Sequence, residues 1–420
     1  MNVRKTAWET LCRCEKAGQY SNLALDGVLK KNEISDADRA LLTNLVYGCI
    51  ERQVTLDAWI DELASRPTEP EIRVLLRLGL YQLAYLDRVP DHAAVNETVA
   101  VAPKRAAGFV NAVLRSFLRR EKRIDPPDRE KDPVGFLSVG YAVARPLAEK
   151  LNGAFGTERA ERILRACSEK TSICLRTNTL KTTREKLADE LTRAGYEPEP
   201  FGRAGLRLRG NVPVGKLPKF DDGWFFVQDE ASQRCVEALG AEAGMVVIDV
   251  CACPGSKSFG AAMDMNNEGR VLAFDLHRSK LSLAENGAKR LGVTILTAAE
   301  RDARDPLPEW EGKADRVICD VPCSGYGVIA KKPELRLKDP AVSAGLPAIQ
   351  KAILARSATL VKRGGKLVYS TCTILREEND DVADDFLASH PEFTEAERVA
   401  LFPDTDGTDG FFYTVLQRNR

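Results

Sequence analysis

The chain has 420 residues, 44% of them hydrophobic and 29% charged, and its basic and acidic residues cancel to a formal net charge of zero. This length exceeds what one hydrophobic core usually supports, so two or three domains of an ordinary soluble globular protein are expected. The absence of any run of eighteen apolar residues argues against a spanning helix, the charge in the first thirty residues argues against a signal peptide, and the zero net charge does not favour a nucleic-acid binder.

Up to about residue 120 the pattern is helical throughout. Trp8, Leu11 and Cys12 fall on one helix face, as do Leu42, Leu45 and Val46, and Leu75, Leu78 and Leu80 lie in another apolar helical stretch. Between 103 and 123 there are seven basic residues and one acid. A solvated helix face and an RNA phosphate site, with Arg115, Arg119 and Arg120 as its contacts, both fit that cluster. The stretch "EKRIDPPDREKDP" (121–133) carries three prolines and dense charge and reads as a linker or interdomain turn. Helical patterning resumes over 148–167. "SICLRTNTL" (172–180) and "GLRLRG" (205–210) read as strands around the helix "REKLADELTRAG" (184–195), a small α+β unit.

The texture changes at Met245. "MVVIDV", "RVLAFDL", "TILTAA", "RVICDV" and "KLVYST" are buried strands, with helical stretches such as 280–291 and 341–361 between them. Strands alternating with helices predict a parallel, doubly wound sheet, which binds ligands beyond the carboxyl ends of its strands. The expected boundaries are 1–125 for a helical domain, 134–235 for a helical connector with the α+β unit, and 236–420 for the α/β domain.

Those strand ends carry the chemistry. Asp249, Cys251, Cys253 and the turn Pro254-Gly255-Ser256-Lys257 follow the first; then come Asp275, Asp302, Asp320 with Cys323, and Cys372. The first turn opens a helix, whose free N–H groups suit a carboxylate or other anion. Asp275 stands where an acid pairs with ribose hydroxyls, and the missing G-x-G-x-x-G argues against a dinucleotide. Adenosine with a carboxylate tail, S-adenosylmethionine, fits better than the bland alternative of a structural turn with incidental acids. Eleven cysteines, an odd number, point to free thiols in a reducing, cytoplasmic setting. Cys12, Cys49, Cys167, Cys235 and Cys319 read as packing residues. A zinc site from Cys251, Cys253, Cys319 and Cys323 lacks the usual C-x₂-C spacing, so no metal is expected. Cys323 and Cys372 differ, because each ends a strand in polar surroundings. "ILREEND" (374–380), just after Cys372, reads as a helix start with Glu377 and Glu378 in its first turns, where a thiol has its pKa lowered.

The segments "DVCACPGSKS" (249–258), "FDLHRSKL" (274–281), "RDAR" (301–304), "DVPCSGYGVIAKKPELR" (320–336) and "YSTCTILREEND" (369–380) resemble the bacterial RNA cytosine-5 methyltransferases of the Sun/Nop2 type. "FVQDEASQ", "LRTNTLK" and "DGFFYTVL" match as well. "YSNLALDGVL", "RALLTNLVYGCI" and "AVNETVAVA" with "GFVNAVLR" resemble the antitermination factor NusB, as in the small-subunit ribosomal RNA members of that family. The resemblance spans nearly the whole chain. It implies an all-α NusB-like domain, a small ferredoxin- or RRM-like α+β subdomain, and a Rossmann-like methyltransferase domain that uses S-adenosyl-L-methionine. It further implies a monomer acting on small-subunit ribosomal RNA, with no membrane partner.

The resemblance also implies residue roles. Cys372 would be the nucleophile and Cys323 would assist release, while Asp320 and Lys257 hold the base. Cys251, Ala252, Cys253, Pro254, Gly255, Ser256 and Lys257 would form the cofactor loop, with Asp275 on the ribose, Asp302 on the adenine side and Asp320 alongside. Lys331, Lys332 and Arg336 would hold the RNA backbone. Three departures stand out: Ser256 replaces a glycine and is strained if that position needs positive φ, Cys253 replaces an alanine, and Leu337 replaces a tryptophan. A binding-only protein would need neither strand-end thiol, and an N-methylating enzyme would want an aromatic D/N-P-P-Y/F loop where this chain has Asp320-Val321-Pro322-Cys323.

Overall fold

The computed structural model describes residues 2–17, 21–31, 34–169, 172–210 and 212–419. They form two compact units, Met1–Arg165 with Lys332–Pro340, and Ala166–Lys331 with Ala341–Arg420. Tyr20, which opens "YSNLALDGVL", lies outside the described residues.

The first unit is helical. Helices Val3–Ala17, Asp36–Glu51, Gln53–Leu63, Pro70–Tyr85, Asp91–Val101 and Lys104–Arg119 pack around one core. Their starts follow local chemistry: Ser35 accepts from the Asp38 N–H as N-cap, and Pro70 occupies a first-turn position where its missing N–H costs nothing. Leu42, Leu45, Leu75, Leu78 and Leu80 are fully buried, with Leu11 close behind, and Trp8 and Cys12 pack partly buried on the same core. Trp59 tilts against Phe117 with ring centroids 5.0 Å apart. Arg77, almost fully buried, is held by Asp57 at 2.7 Å and by Glu15.

The basic helix buries Ala106, Val110, Val113, Leu114 and Phe117 and turns its charge outward. Four basic residues of the stretch are paired: Arg105 with Glu69, Arg120 with Glu62, Lys122 with Asp91, and Arg123 with Asp125. Arg115 is exposed and donates to Asn111, and Arg119 is exposed. The 121–133 stretch has no helix or strand until Pro133, but both of its flanks belong to this unit.

Lys332–Pro340 also belongs to the helical unit, although the sequence placed it in the catalytic domain. Its short turn Pro333–Leu337 buries Arg336 to 1% exposure. The Arg336 guanidinium donates to the Tyr141 carbonyl at 2.9 Å, its own carbonyl accepts from the Ala144 N–H at 2.7 Å, and Leu337 packs on the helical core. This corrects the expectation for Arg336: a buried guanidinium bonded to the Tyr141 carbonyl is not exposed to an RNA backbone.

The second unit carries two sheets. The smaller comprises β1 (Ser172–Thr177), β2 (Glu199–Phe201), β3 (Gly205–Arg209) and β4 (Phe225–Val227), all antiparallel in the order β2-β3-β1-β4. Helix Arg184–Arg193, capped by Thr183, buries Leu187 and Leu191 against Leu175, Leu206 and Leu208.

The larger sheet comprises β5 (Val246–Asp249), β6 (Arg270–Asp275), β7 (Leu296–Glu300), β8 (Ala314–Asp320), β9 (Val361–Thr371), β10 (Phe393–Leu401) and β11 (Phe411–Arg418), in the order β10-β11-β9-β8-β5-β6-β7. β5 to β9 are parallel. The sheet as a whole is mixed, because β11 runs antiparallel to β9 and β10 antiparallel to β11. The chain returns from β10 through the short helix Pro403–Asp406, and such a hairpin needs no crossover helix. Strand order reverses between β5 and β8, which opens the ligand crevice at their carboxyl ends. No helix among the described residues is long and apolar enough to cross a membrane.

Arg336→Ala should cost about 1–3 kcal/mol of local stability by leaving the Tyr141 carbonyl unpaired. Hydrogen exchange checks this: the Ala144 and neighbouring amides should exchange faster than in the wild type, while β5–β9 stay protected.

Candidate active site

At the carboxyl end of β5, Asp249 is buried and its Oδ2 accepts from the Ser258 hydroxyl at 2.6 Å, while Oδ1 has no hydrogen-bond partner among the described residues. Burial pushes its pKa up to about 7 against the pull of Ser258. The loop that follows is pinned to β6. The Ala252 N–H donates to the Phe274 carbonyl at 2.7 Å, and the Cys253 N–H to Asp275 Oδ2 at 3.1 Å. Asp275 Oδ1 accepts from the His277 N–H at 3.0 Å, and the carboxylate, with two lone pairs on each oxygen, keeps acceptor capacity. Gly255 takes φ 108°, and a Cβ there would lie 2.5 Å from the Phe259 ring. Ser256 opens helix Ser256–Asp264 with Gly255 as its N-cap, and it is not among the positive-φ residues. The strain that the serine would suffer at positive φ does not arise, because Gly255 alone makes the turn.

Lys257 in the first turn of that helix is almost fully buried. Its Nζ donates to Asp320 Oδ2 at 2.6 Å and lies 5.3 Å from the centre of the Phe411 ring. Burial pulls the ammonium pKa down, but the Asp320 carboxylate outweighs it and holds the group above the ordinary lysine value. Asp320 Oδ1 accepts from the Ser370 hydroxyl at 2.7 Å, since the two residues are register partners in β8 and β9.

The two thiols meet beyond these strands. Cys323 Sγ and Cys372 Sγ are 3.2 Å apart as free cysteines, and the Cys372 N–H approaches Cys323 Sγ at 3.3 Å. The next residues are tied too, Ser324 Oγ to Thr373 Oγ1 at 2.8 Å. The helix expected directly after Cys372 starts later: a short turn Arg376–Glu378 intervenes and the α-helix begins at Asp380. Asn379 brings that helix start back to the thiol, accepting from Thr371 Oγ1 at 2.5 Å and donating to the Thr373 carbonyl at 3.0 Å. Gly327 closes the site from below. Its N–H donates to the Cys372 carbonyl at 3.0 Å, its carbonyl accepts from Gly410, and a Cβ would lie 1.9 Å from the Gly410 oxygen.

The remaining expected residues are distributed unevenly. Burial, with Cys319 next, drives the Cys251 thiol well above its ordinary pKa, and burial, with Asp275 next, pushes Cys253 up to about 11. Neither is a thiolate at neutral pH. Asp302 follows β7 and is gripped by Arg304 through Nε at 2.9 Å and Nη2 at 2.6 Å, which holds its pKa down at about 2. Lys331 stands at the surface with its Nζ shared by Asp229 at 2.6 Å and Asp409 at 2.7 Å. Lys332 is exposed in the helical unit. Sequence reasoning missed Ser258, Ser370, Gln350 and Asn379, and read Glu378 as a first-turn acid. Ser370 alone had a local signal, as the hydroxyl one register step from Asp320. No group of three or more His, Cys, Asp and Glu residues suited to a metal occurs among the described residues.

Residues 236–417 match the model for the "16S rRNA methyltransferase RsmB/F" family, 1–119 that of the NusB family, and 146–215 that of the "Methyltr_RsmF/B-like, ferredoxin-like domain". A "Probable ribosomal RNA small subunit methyltransferase B" of Bacillus subtilis (strain 168) is 38% identical over 99% of both chains. The chain belongs to the RsmB/F methyltransferase family. "Ribosomal RNA small subunit methyltransferase B" of Salmonella paratyphi A is 34% identical over 99% of this chain and 98% of its own. Among solved structures, PH0851 superposes with a TM-score of 0.82 at 27% identity, covering 99% of this chain and 98% of that one. A methyltransferase homolog protein from Pyrococcus horikoshii reaches 0.60 at 25% identity over 67% of this chain and 97% of its own.

The raised Asp249 pKa has a sign. Protonated Asp249 favours the folded state, so its contribution is full below the unfolded value of 3.8 and is lost as pH rises through about 7. Asp249→Asn should therefore gain melting temperature relative to the wild type between about pH 4 and pH 7. A constant gap across that range would contradict the burial of an ionisable carboxyl here.

Proposed function

We propose that this RsmB/F-family enzyme methylates C5 of a cytosine in small-subunit ribosomal RNA, using S-adenosylmethionine and a transient covalent bond from Cys372 to C6. The observation that carries the reading is the pair of free thiols 3.2 Å apart at neighbouring strand ends, beside the Lys257–Asp320 pair.

The loop fits the cofactor. Asp249 Oδ1 is a buried acceptor in want of a donor, Asp275 keeps acceptor capacity for ribose hydroxyls, and the N–H groups opening helix Ser256–Asp264 suit a carboxylate. When bound there, S-adenosylmethionine supplies an electrophilic methyl group on a sulfonium. Cytosine C5 is a weak nucleophile. Addition of the Cys372 thiolate to C6 makes C5 enamine-like and able to take a methyl. Asp320 and Lys257 hold the base edge during that addition. Product forms when the C5 proton is lost and the sulfur–C6 bond breaks, which Cys323 assists.

A binding-only protein would gain nothing from two thiols in contact and a buried lysine held by a half-buried carboxylate, since burying the ammonium is costly. The mutant pair tests the division of labour. Cys372→Ala should form no covalent RNA adduct and no 5-methylcytosine. Cys323→Ala should accumulate a protein–RNA conjugate that survives a denaturing gel. The reverse pattern would exchange the two roles.

RNA affinity is assigned in part to the exposed Arg115 and Arg119. Replacing both with glutamine should weaken RNA binding and flatten its dependence on salt by about two counterions' worth. Arg120→Gln, which loses a residue already paired with Glu62, should change the slope less. Equal slopes for the double variant and the wild type would assign the stretch to a solvated face.

A further inference from the structure

Glu378 is 1% exposed and lies beside the thiol turn rather than in solvent. Its Oε2 accepts from the Ser324 N–H at 2.9 Å, directly after Cys323, and from Gln350 Nε2 at 2.9 Å. Gln350, fully buried on helix Leu346–Leu360, also donates to the Pro322 carbonyl at 3.0 Å, directly before Cys323. The Glu378 carbonyl accepts from the Tyr369 hydroxyl at 2.6 Å, which ties this segment to β9. The carboxylate and its amide partner thus grip both peptide units that flank Cys323, and among the described residues no basic side chain is hydrogen-bonded to that carboxylate.

We propose that Glu378 is a positioning residue for Cys323: with Gln350 it fixes the Pro322–Ser324 turn that aims the thiol at Cys372, and its negative charge keeps Cys323 a proton donor for release. This rests on the assignment of release to Cys323 above. In that step the C5 proton passes to water and its electron pair closes the C5–C6 double bond. The C6–S bond breaks with its pair on the Cys372 sulfur. That sulfur takes the Cys323 proton, and the Cys323 thiolate is reprotonated from the hydronium just formed. The charged and titratable groups that raise Cys323 are Cys372 and Glu378, and Cys323 in turn raises the phenol of Tyr369. The hydrogen bond with Cys372, then burial, then the Cys372 charge and after it the Glu378 charge raise the Cys323 pKa, and the Cys372 N–H opposes them.

The test needs no RNA. Initial rates of iodoacetamide labelling of Cys323 in the reduced full-length protein are followed against pH by mass spectrometry. Glu378→Gln keeps an oxygen acceptor for the Ser324 N–H and removes only the charge. Its Cys323 labelling midpoint should fall by about one pH unit, roughly tenfold more thiolate at a fixed pH. An unchanged midpoint in folded protein overturns the proposal. Should the variant not fold, Glu378→Asp, which keeps the charge but draws it back from the Ser324 N–H, decides: a lowered Cys323 midpoint supports the proposal, and an unchanged one overturns it. Because cytosine is absent, either failure is distinguishable from failure of the RNA methyltransferase reading, which the adduct gel tests separately.

Discussion

Everything at the site depends on the parallel pairing of β8 with β9. Cys319 stands opposite Tyr369 and Asp320 opposite Ser370, so one register sets both the acid and the hydroxyl that orients it. Beyond the strands the offset shortens by one. Asp320 and Ser370 are 50 residues apart, while Cys323–Cys372 and Ser324–Thr373 are each 49 apart. The Val321-Pro322 turn absorbs the extra residue and still brings sulfur to sulfur. A slip of one residue would turn each side chain to the opposite face and separate acid, lysine and thiols together.

The register alone does not hold charge in a buried place. Lys257 comes from helix Ser256–Asp264, Asp320 from β8 and the Phe411 ring from β11, so three elements converge on one ammonium. Such a pair contributes little to stability, because desolvating the lysine offsets much of its attraction to the half-buried Asp320. Its use is in chemistry, as a fixed donor–acceptor edge that needs no rearrangement when a planar base arrives. The antiparallel β11 matters for the same reason. It carries Phe411 to the lysine, and Gly410 just before it braces Gly327 beneath Cys372.

The strand–helix alternation, the acids at strand ends and the two thiols were legible because each is a local pattern with a fixed topological consequence. The antiparallel edge was not, since β10 and β11 follow the alternating units as a hairpin and the preceding repeat suggested more of the same. Basic residues misled where their partners were distant. Lys331 and Arg336 look like phosphate ligands in a run of "KKPELR", yet Asp229, Asp409 and the Tyr141 carbonyl, which claim them, lie far off in the chain. Glu378 failed in the opposite direction. "REEND" is good first-turn chemistry, and nothing local reveals that one of its acids is buried against Ser324 and Gln350.

The central claim is that Cys372, and not Cys323, forms the bond to the base. The most direct measurement is peptide mapping of the wild-type enzyme trapped on small-subunit ribosomal RNA containing 5-fluorocytidine, in which C5 carries a fluorine that cannot leave as a proton. The account predicts a nucleotide-modified peptide containing Cys372 with Cys323 free. A modified peptide containing Cys323, with Cys372 free, would contradict it.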